Sequence, residues 1–174
     1  MKEIRLSQNQ VAIIDDIDVA LVEQYKWYAK YCKATHTYYA YTNIWLNGRK
    51  TTLQMHRLIM GAATGEGVDH VDHEGLRNNR SNLRKCTTSQ NMANRRMPIN
   101  NTSGYKGVCF DKTRGLWMAQ IVILKKHCTI GRFENQVDAA RAYDDRAIEC
   151  FGVFALTNKA LGLLEAAAVK AEVA

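Results

Sequence analysis

The sequence predicts an α+β protein built in two parts, and three observations carry that reading. Residues 26–46 are crowded with Tyr, Trp, Thr and Ile, which favour a pleated, half-buried surface. The single proline, Pro98, sits in a polar stretch, Arg95-Arg96-Met97-Pro98-Ile99-Asn100-Asn101, that cannot continue a helix. Beyond it, three short strand-like runs lead into one segment in which Val137, Ala140, Tyr143 and Ala147 recur at helical steps. The division is therefore 1–97, a linker at 98–103, a second domain at 104–158, and an Ala- and Leu-rich tail at 159–174 suited to a helix.

Composition narrows the class. The 174 residues are 47% hydrophobic and 24% charged, enough to pack a core and against wholesale disorder. No apolar run nears the ~18 residues that cross a bilayer, and Met1-Lys2-Glu3-Ile4-Arg5 opens no signal peptide. The expectation is an intracellular, cytoplasmic protein that is not secreted and has no membrane partner. Five cysteines stand singly with no CxxC pair, so neither a disulfide framework nor a structural zinc is expected. With 24 basic against 17 acidic residues, the net charge of +7 favours an anionic partner.

Taken in order, residues 10–15 form an apolar run, and residues 18–25 suit one or two helical turns with Asp18 as N-cap. The strand-rich stretch follows, its aromatics, Trp27 and Trp45 among them, read as core. Asn47-Gly48 is a hairpin turn signal, and residues 50–54 return from it. A short helix begins at His56. After Pro98, Gly104–Val108 leads into a strand, residues 117–123 alternate with Trp117, Ala119, Ile121 and Ile123 on one face, and residues 127–133 form a third strand. Residues 135–151 read as a helix capped by Asn135 and stopped at Gly152.

Chemistry concentrates in Val68-Asp69-His70-Val71-Asp72-His73-Glu74-Gly75-Leu76-Arg77-Asn78-Asn79-Arg80-Ser81-Asn82-Leu83-Arg84 and in the short helix after it, which carries Asn91 and Asn94. Asp69 and Asn91 offer hard oxygens suited to Mg²⁺, and a neutral imidazole beside such an ion can take a proton from water attacking phosphorus. Asp72 and His73 offer an alternative ligand set, although a solvated loop is the favoured reading for them. His36 and His127 join no carboxylate cluster and are assigned no role. Residues 75–103 hold Arg77, Arg80, Arg84, Lys85, Arg95 and Arg96 with no Asp or Glu, a local +6 suited to gripping phosphates.

The stretch from about His56 to Asn94 resembles the HNH nuclease motif, the ββα-metal fold, in its homing-endonuclease form. The resemblance implies His70 as general base, Asp69 and Asn91 as ligands of Mg²⁺ (or Mn²⁺), Asn82 as the residue bracing the catalytic loop, and His56 as structural. Residues 104–158 are similar to the DNA-binding domain of AP-two/ethylene-response-factor (ERF) proteins. That likeness rests on Tyr105-Lys106-Gly107-Val108, Trp117-Met118-Ala119-Gln120-Ile121, Ile130-Gly131-Arg132-Phe133, Asp138-Ala139-Ala140-Arg141-Ala142-Tyr143-Asp144, Gly152, Ala155 and Asn158. It implies a three-stranded antiparallel sheet on one helix, with DNA on the sheet's open face. Lys106, Arg114, Gln120, Lys126, Thr129 and Arg132 are then DNA-contact candidates, Gln120 being suited to a base edge. Positions that read bases in the plant proteins differ here, so the plant target sequence does not carry over.

Together these readings predict a metal-dependent DNA endonuclease that hydrolyses phosphodiester bonds in double-stranded DNA, belongs to a phage or mobile element, and uses no small-molecule cofactor. A monomer is favoured. The rival is a sequence-specific DNA-binding regulator with an inactive nuclease motif; Asp69, His70 and Asn91 are all present, which disfavours it. Removing everything after about Ser103 is expected to leave a chain that still cuts, with less discrimination.

Overall fold

The computed structural model describes residues 1–165, and the chain divides into one unit of Met1–Thr88 and a second beginning at Ser89. The fold is α+β, with small antiparallel sheets and few helices. Pro98 lies inside the second unit: the division falls ahead of the short asparagine-bearing helix, not at the proline linker. The tail reaches a helical turn at residues 163–165, and the rest of that expected helix lies outside the described residues.

In the first unit, β1 (Lys2–Arg5) pairs with β2 (Val11–Ile14), and α1 (Val19–Val22) follows. Strands β3 (Tyr28–Cys32), β4 (Thr37–Leu46) and β5 (Arg49–Gln54) form an antiparallel sheet in that order. After α2 (Met55–Ile59), β6 (Gly67–His70) and β7 (Leu83–Cys86) make a two-stranded ribbon with Asp69 opposite Arg84. Ala12, Ile14, Val22, Trp27, Ala40, Met55, Ile59, Val68 and Leu83 form one buried cluster. Ile14, Val22 and Met55 are fully enclosed, and a buried side chain of that size stabilises by roughly 1.5–3 kcal/mol.

Two sequence expectations fail here for physical reasons. Asp18 occupies the N-cap position of α1 without making a capping bond. Its carboxylate is buried and accepts Arg80 Nε at 3.0 Å and a terminal Arg80 nitrogen at 2.6 Å. Trp27 is core, its Nε1 donating to the Val22 carbonyl at 2.8 Å, whereas Trp45 is 74% exposed. The long strand β4 outruns β3, so Trp45 faces only Lys50 across the β5 ladder and has no layer to bury it.

The second unit holds all but the first residue of α3 (Thr88–Ala93), strands β8 (Val108–Asp111), β9 (Leu116–Ile123) and β10 (Lys126–Phe133), and α4 (Gln136–Phe151). The sheet is antiparallel in the order β10-β9-β8, and α4 packs on one face through Ala139, Ala140, Tyr143 and Ala147. Asn135 caps α4 by accepting the Asp138 N–H at 2.8 Å. Small side chains allow the close approach. At Gly107, φ is +76° and an added Cβ would fall 1.9 Å from the Tyr143 ring, so only glycine serves. Buried Asn158 receives the Lys106 N–H at 2.7 Å and donates to the Lys106 carbonyl and to Asp144.

Candidate functional site

Antiparallel pairing of β6 with β7 brings Asp69 and His70 to the end of a short ribbon, followed by the loop 71–82. That loop is held from several sides. Ile13 N–H donates to the Leu76 carbonyl, Asn78 N–H to the Ile13 carbonyl at 2.7 Å, and Gly75 N–H to Thr37 Oγ1. Gly75 sits so close to Tyr38 and Tyr39 that a Cβ would fall 2.5 Å from the Tyr38 carbonyl oxygen. Asn82 spans the loop: its Nδ2 donates to Asp72 Oδ1 and the Arg77 carbonyl, each at 2.8 Å, and its Oδ1 accepts the Asp72 N–H. Asp72, offered by the sequence as an alternative ligand, also accepts the Glu74 N–H and pairs with Arg77, so its carboxylate is part of the loop's bracing.

His70 is 5% exposed and Asp69 6%. Asn78 is completely buried, with Oδ1 3.1 Å from His70 Nε2 and Nδ2 3.6 Å from Met55 Sδ. A thioether sulfur only accepts, so the amide turns its NH₂ to Met55 and its oxygen to His70. Nε2 therefore carries the imidazole hydrogen, and the ring's lone pair lies on Nδ1. Around the ring, Tyr39 and His56 make edge contacts at centroid distances of 5.7 and 5.0 Å. Burial pushes the His70 pKa below the usual histidine value, with the Asn78 bond opposing. His56 falls to about 3, through burial and then its neighbour His70. The imidazole of His70 is thus a neutral acceptor at physiological pH.

The basic stretch 75–103 behaves differently from its sequence. Its charges look unopposed along the chain, but the fold supplies acids from elsewhere. Arg84 donates twice to Asp69 Oδ2, at 2.9 and 2.7 Å, in a mostly buried pair. Arg80 pairs with Asp18, Arg77 with Asp72, and Lys85 with Glu66. Four of the six expected phosphate contacts are therefore committed to carboxylates; Arg95 and Arg96 are exposed.

In the second unit, Asn91 is exposed on α3 and Asn94 is buried just past its end. Lys106 corrects the expectation of a phosphate contact. It is 8% exposed, and its Nζ donates to the Ala93 carbonyl at the end of α3, which also accepts the Leu156 N–H. Burial lowers its pKa to about 8. Arg114 and Arg132 both pair with Asp111, and Arg132 is the main cause holding that carboxyl below its usual range. On the face away from α4, Gln120 Nε2 lies 3.5 Å from Cys109 Sγ and Thr129 is exposed; Lys126 is exposed too, but it pairs with Ile123 and so falls on the α4 side, against the expectation of an open-face contact. Sequence reasoning missed Asn78, whose only signal was its place in an Asn-Asn pair eight residues after His70, and missed Tyr39 entirely.

A neutral, buried imidazole beside a carboxylate, with an amide behind it, can accept a proton. No protein family's sequence profile matches the chain. Over 92 residues it is 36% identical to an uncharacterized HNH endonuclease of Acanthamoeba polyphaga mimivirus, covering 53% of this chain and 46% of that protein. Over 57 residues it is 35% identical to Protein 3.8 of Escherichia phage T7, covering 33% of this chain and 47% of that protein. The chain thus spans about half the length of these relatives. No helix among the described residues is long and apolar enough to cross a membrane.

Proposed function

We propose that the chain is a metal-dependent DNA endonuclease of HNH type, homing-endonuclease-like, hydrolysing phosphodiester bonds in duplex DNA. The observation that carries the reading is the buried His70, kept in one tautomer by Asn78 beside Asp69. The similarity to a viral protein named for HNH endonuclease activity supports the same class. In this reading His70 accepts the proton of the attacking water at Nδ1, a contribution of roughly 10²–10⁴ in rate. Asn82 keeps the loop that follows His70 in shape.

Asp69 and Asn91 fit Mg²⁺ or Mn²⁺ by donor chemistry, since a carboxylate and an amide carbonyl are hard oxygen ligands. Asp69 Oδ2 accepts two Arg84 N–H groups, which keep the carboxylate ionised, as a cation ligand must be. When bound, the ion offsets charge at the scissile phosphate and the leaving oxygen. The open face of β8–β10, with Gln120 and Thr129 on the sheet and Arg114 and Arg132 at Asp111, aids site recognition.

Incubating supercoiled plasmid with the protein in Mg²⁺ and in EDTA tests the reading, with thermal unfolding followed in parallel. Cleavage in Mg²⁺ alone, with an unchanged Tm in EDTA, is the expected result. DNA binding without cleavage in any divalent metal would assign the chain to the regulator class instead.

A further inference from the structure

The acid-free surface that the fold leaves open is not the stretch 75–103. Residues 24–65 contain no Asp or Glu but hold Lys26, Lys30, Lys33, Arg49, Lys50 and Arg57. The first five are exposed, and none is ion-paired among the described residues. They belong to the β3–β4–β5 sheet and its approaches, and Arg49 and Lys50 stand at its outer end. There β4 and β5 run on as a two-stranded ribbon, with Asn43, Trp45, Leu46, Asn47, Arg49, Lys50, Thr51 and Thr52 all exposed. Trp45 is 74% and Leu46 60% exposed, directly across from Lys50 and Arg49.

This ribbon is tied to the candidate site. Tyr39, in the same strand and on the same face as Trp45, packs against His70 at a centroid distance of 5.7 Å. Between them, Tyr41 stacks on Tyr28 and lies under Lys30 Nζ, 5.6 Å from the ring centroid. One face therefore runs from His70 to the hairpin tip through aromatic and basic side chains. Tyr39 and Trp45 are six residues apart in β4, which at ~3.3 Å per residue is about 20 Å. That length equals about six base pairs at ~3.4 Å each.

We propose that the β4–β5 hairpin is a DNA-gripping wing that enters the major groove of the duplex about six base pairs from the scissile phosphate. The proposal rests on the nuclease reading above for where the phosphate lies. A two-stranded ribbon fits the ~12 Å major groove. Arg49 and Lys50 meet phosphates, and Trp45 and Leu46 lie against sugars and thymine methyls. The partner is duplex DNA because the surface is uniformly cationic and its apolar residues are interleaved with charge.

The test measures binding of the full-length chain to random-sequence duplexes of graded length by fluorescence anisotropy over a range of salt. For Arg49→Gln/Lys50→Gln, the slope of log K against log salt should become shallower by about 1.8, two phosphates at ~0.9 each. The shortest duplex bound at full affinity should shrink by about six base pairs. Trp45→Phe should abolish most of the tryptophan fluorescence change on binding. All these side chains are exposed, so the variants keep the wild-type Tm; Arg49→Glu/Lys50→Glu should exaggerate the same losses. Unchanged slope and duplex length in both double variants would overturn the proposal, as would losses confined to single-stranded DNA or to self-association of the chain. A wild type that shows the long site yet never cuts would refute the nuclease reading and leave the wing standing. A wild type that cuts, with variants that bind like it, would do the reverse.

Discussion

His70 Nε2 and Asn78 Oδ1 are 3.1 Å apart, and the asparagine has no exposed surface at all. Its own backbone N–H is fixed to the Ile13 carbonyl, so the N-terminal hairpin sets the amide that sets the imidazole. The N-terminal hairpin thereby reaches His70 through two hydrogen bonds. A base held in one tautomer spends no rearrangement on presenting its lone pair.

Asn78→Ala should therefore lower kcat by about tenfold or more with little change in KM, because the ring is freed but DNA contacts remain. Asn78→Asp keeps an acceptor at the same place and should recover part of the loss. Nitrogen NMR of the His70 ring would show the mixed tautomer in the alanine variant. Equal kcat in both variants would deny Asn78 a positioning role.

Asp69 and Arg84 form a mostly buried pair, so Arg84→Ala takes two charged donors from a buried carboxylate. Breaking such a pair by removing one member costs about 3–5 kcal/mol. Urea unfolding should show that loss, whereas Arg95→Ala, at an exposed position, should stay within about 0.5 kcal/mol. If Arg84→Ala were as mild as Arg95→Ala, the pair would be unimportant to the fold.

Stability should fall on the acid side of neutrality. The folded-state pKa of His56 is depressed to about 3, against ~6.5 when unfolded. The unfolded chain then binds protons that the folded chain refuses as pH drops from about 6.5 toward 3. The linkage slope approaches ~1.4 kcal/mol per pH unit for this residue, and the depressed His70 acts in the same direction. Stability is highest above pH 6.5. Denaturation of wild type and His56→Phe at pH 7, 5 and 4 should show a flatter slope in the variant; parallel slopes would mean that His56 is not the group responsible.

Lys106 separates a structural from a DNA-binding role. Its Nζ holds the last carbonyl of α3, the helix that carries Asn91. Lys106→Met should leave the salt dependence of DNA binding unchanged, where loss of a phosphate contact would lower the slope by about 0.9. For the same reason, removal of the chain after Ser103 should abolish cleavage, contrary to what the sequence suggests. It takes away both donors, Lys106 Nζ and the Leu156 N–H, that end the helix. A truncated chain that cuts normally would show that α3 needs neither.

Much of this was legible in the sequence because it depends on local pattern. The alternation of 117–123, the Asn135 cap and the Asn47-Gly48 turn each fix their element through neighbours a few residues away. What could not be read depends on residues far apart in the chain. Arg80 meets Asp18 and Arg84 meets Asp69 only after the ribbon forms, so a +6 count along the sequence overstates the charge left for DNA. Trp45 looked like core because composition does not reveal that β4 outruns its neighbour. Asn78 could not be singled out because its partner, Met55, lies 23 positions earlier.

The central claim is that His70 is the base of a metal-dependent DNA cleavage reaction. Single-turnover cleavage of a duplex by wild type and His70→Ala, at saturating protein in Mg²⁺, measures it most directly. The wild type should cut and the variant should be slower by about 10²-fold or more, while anisotropy shows the same DNA affinity for both. Equal cleavage rates, or no cleavage by the wild type in Mg²⁺ or Mn²⁺, would contradict it.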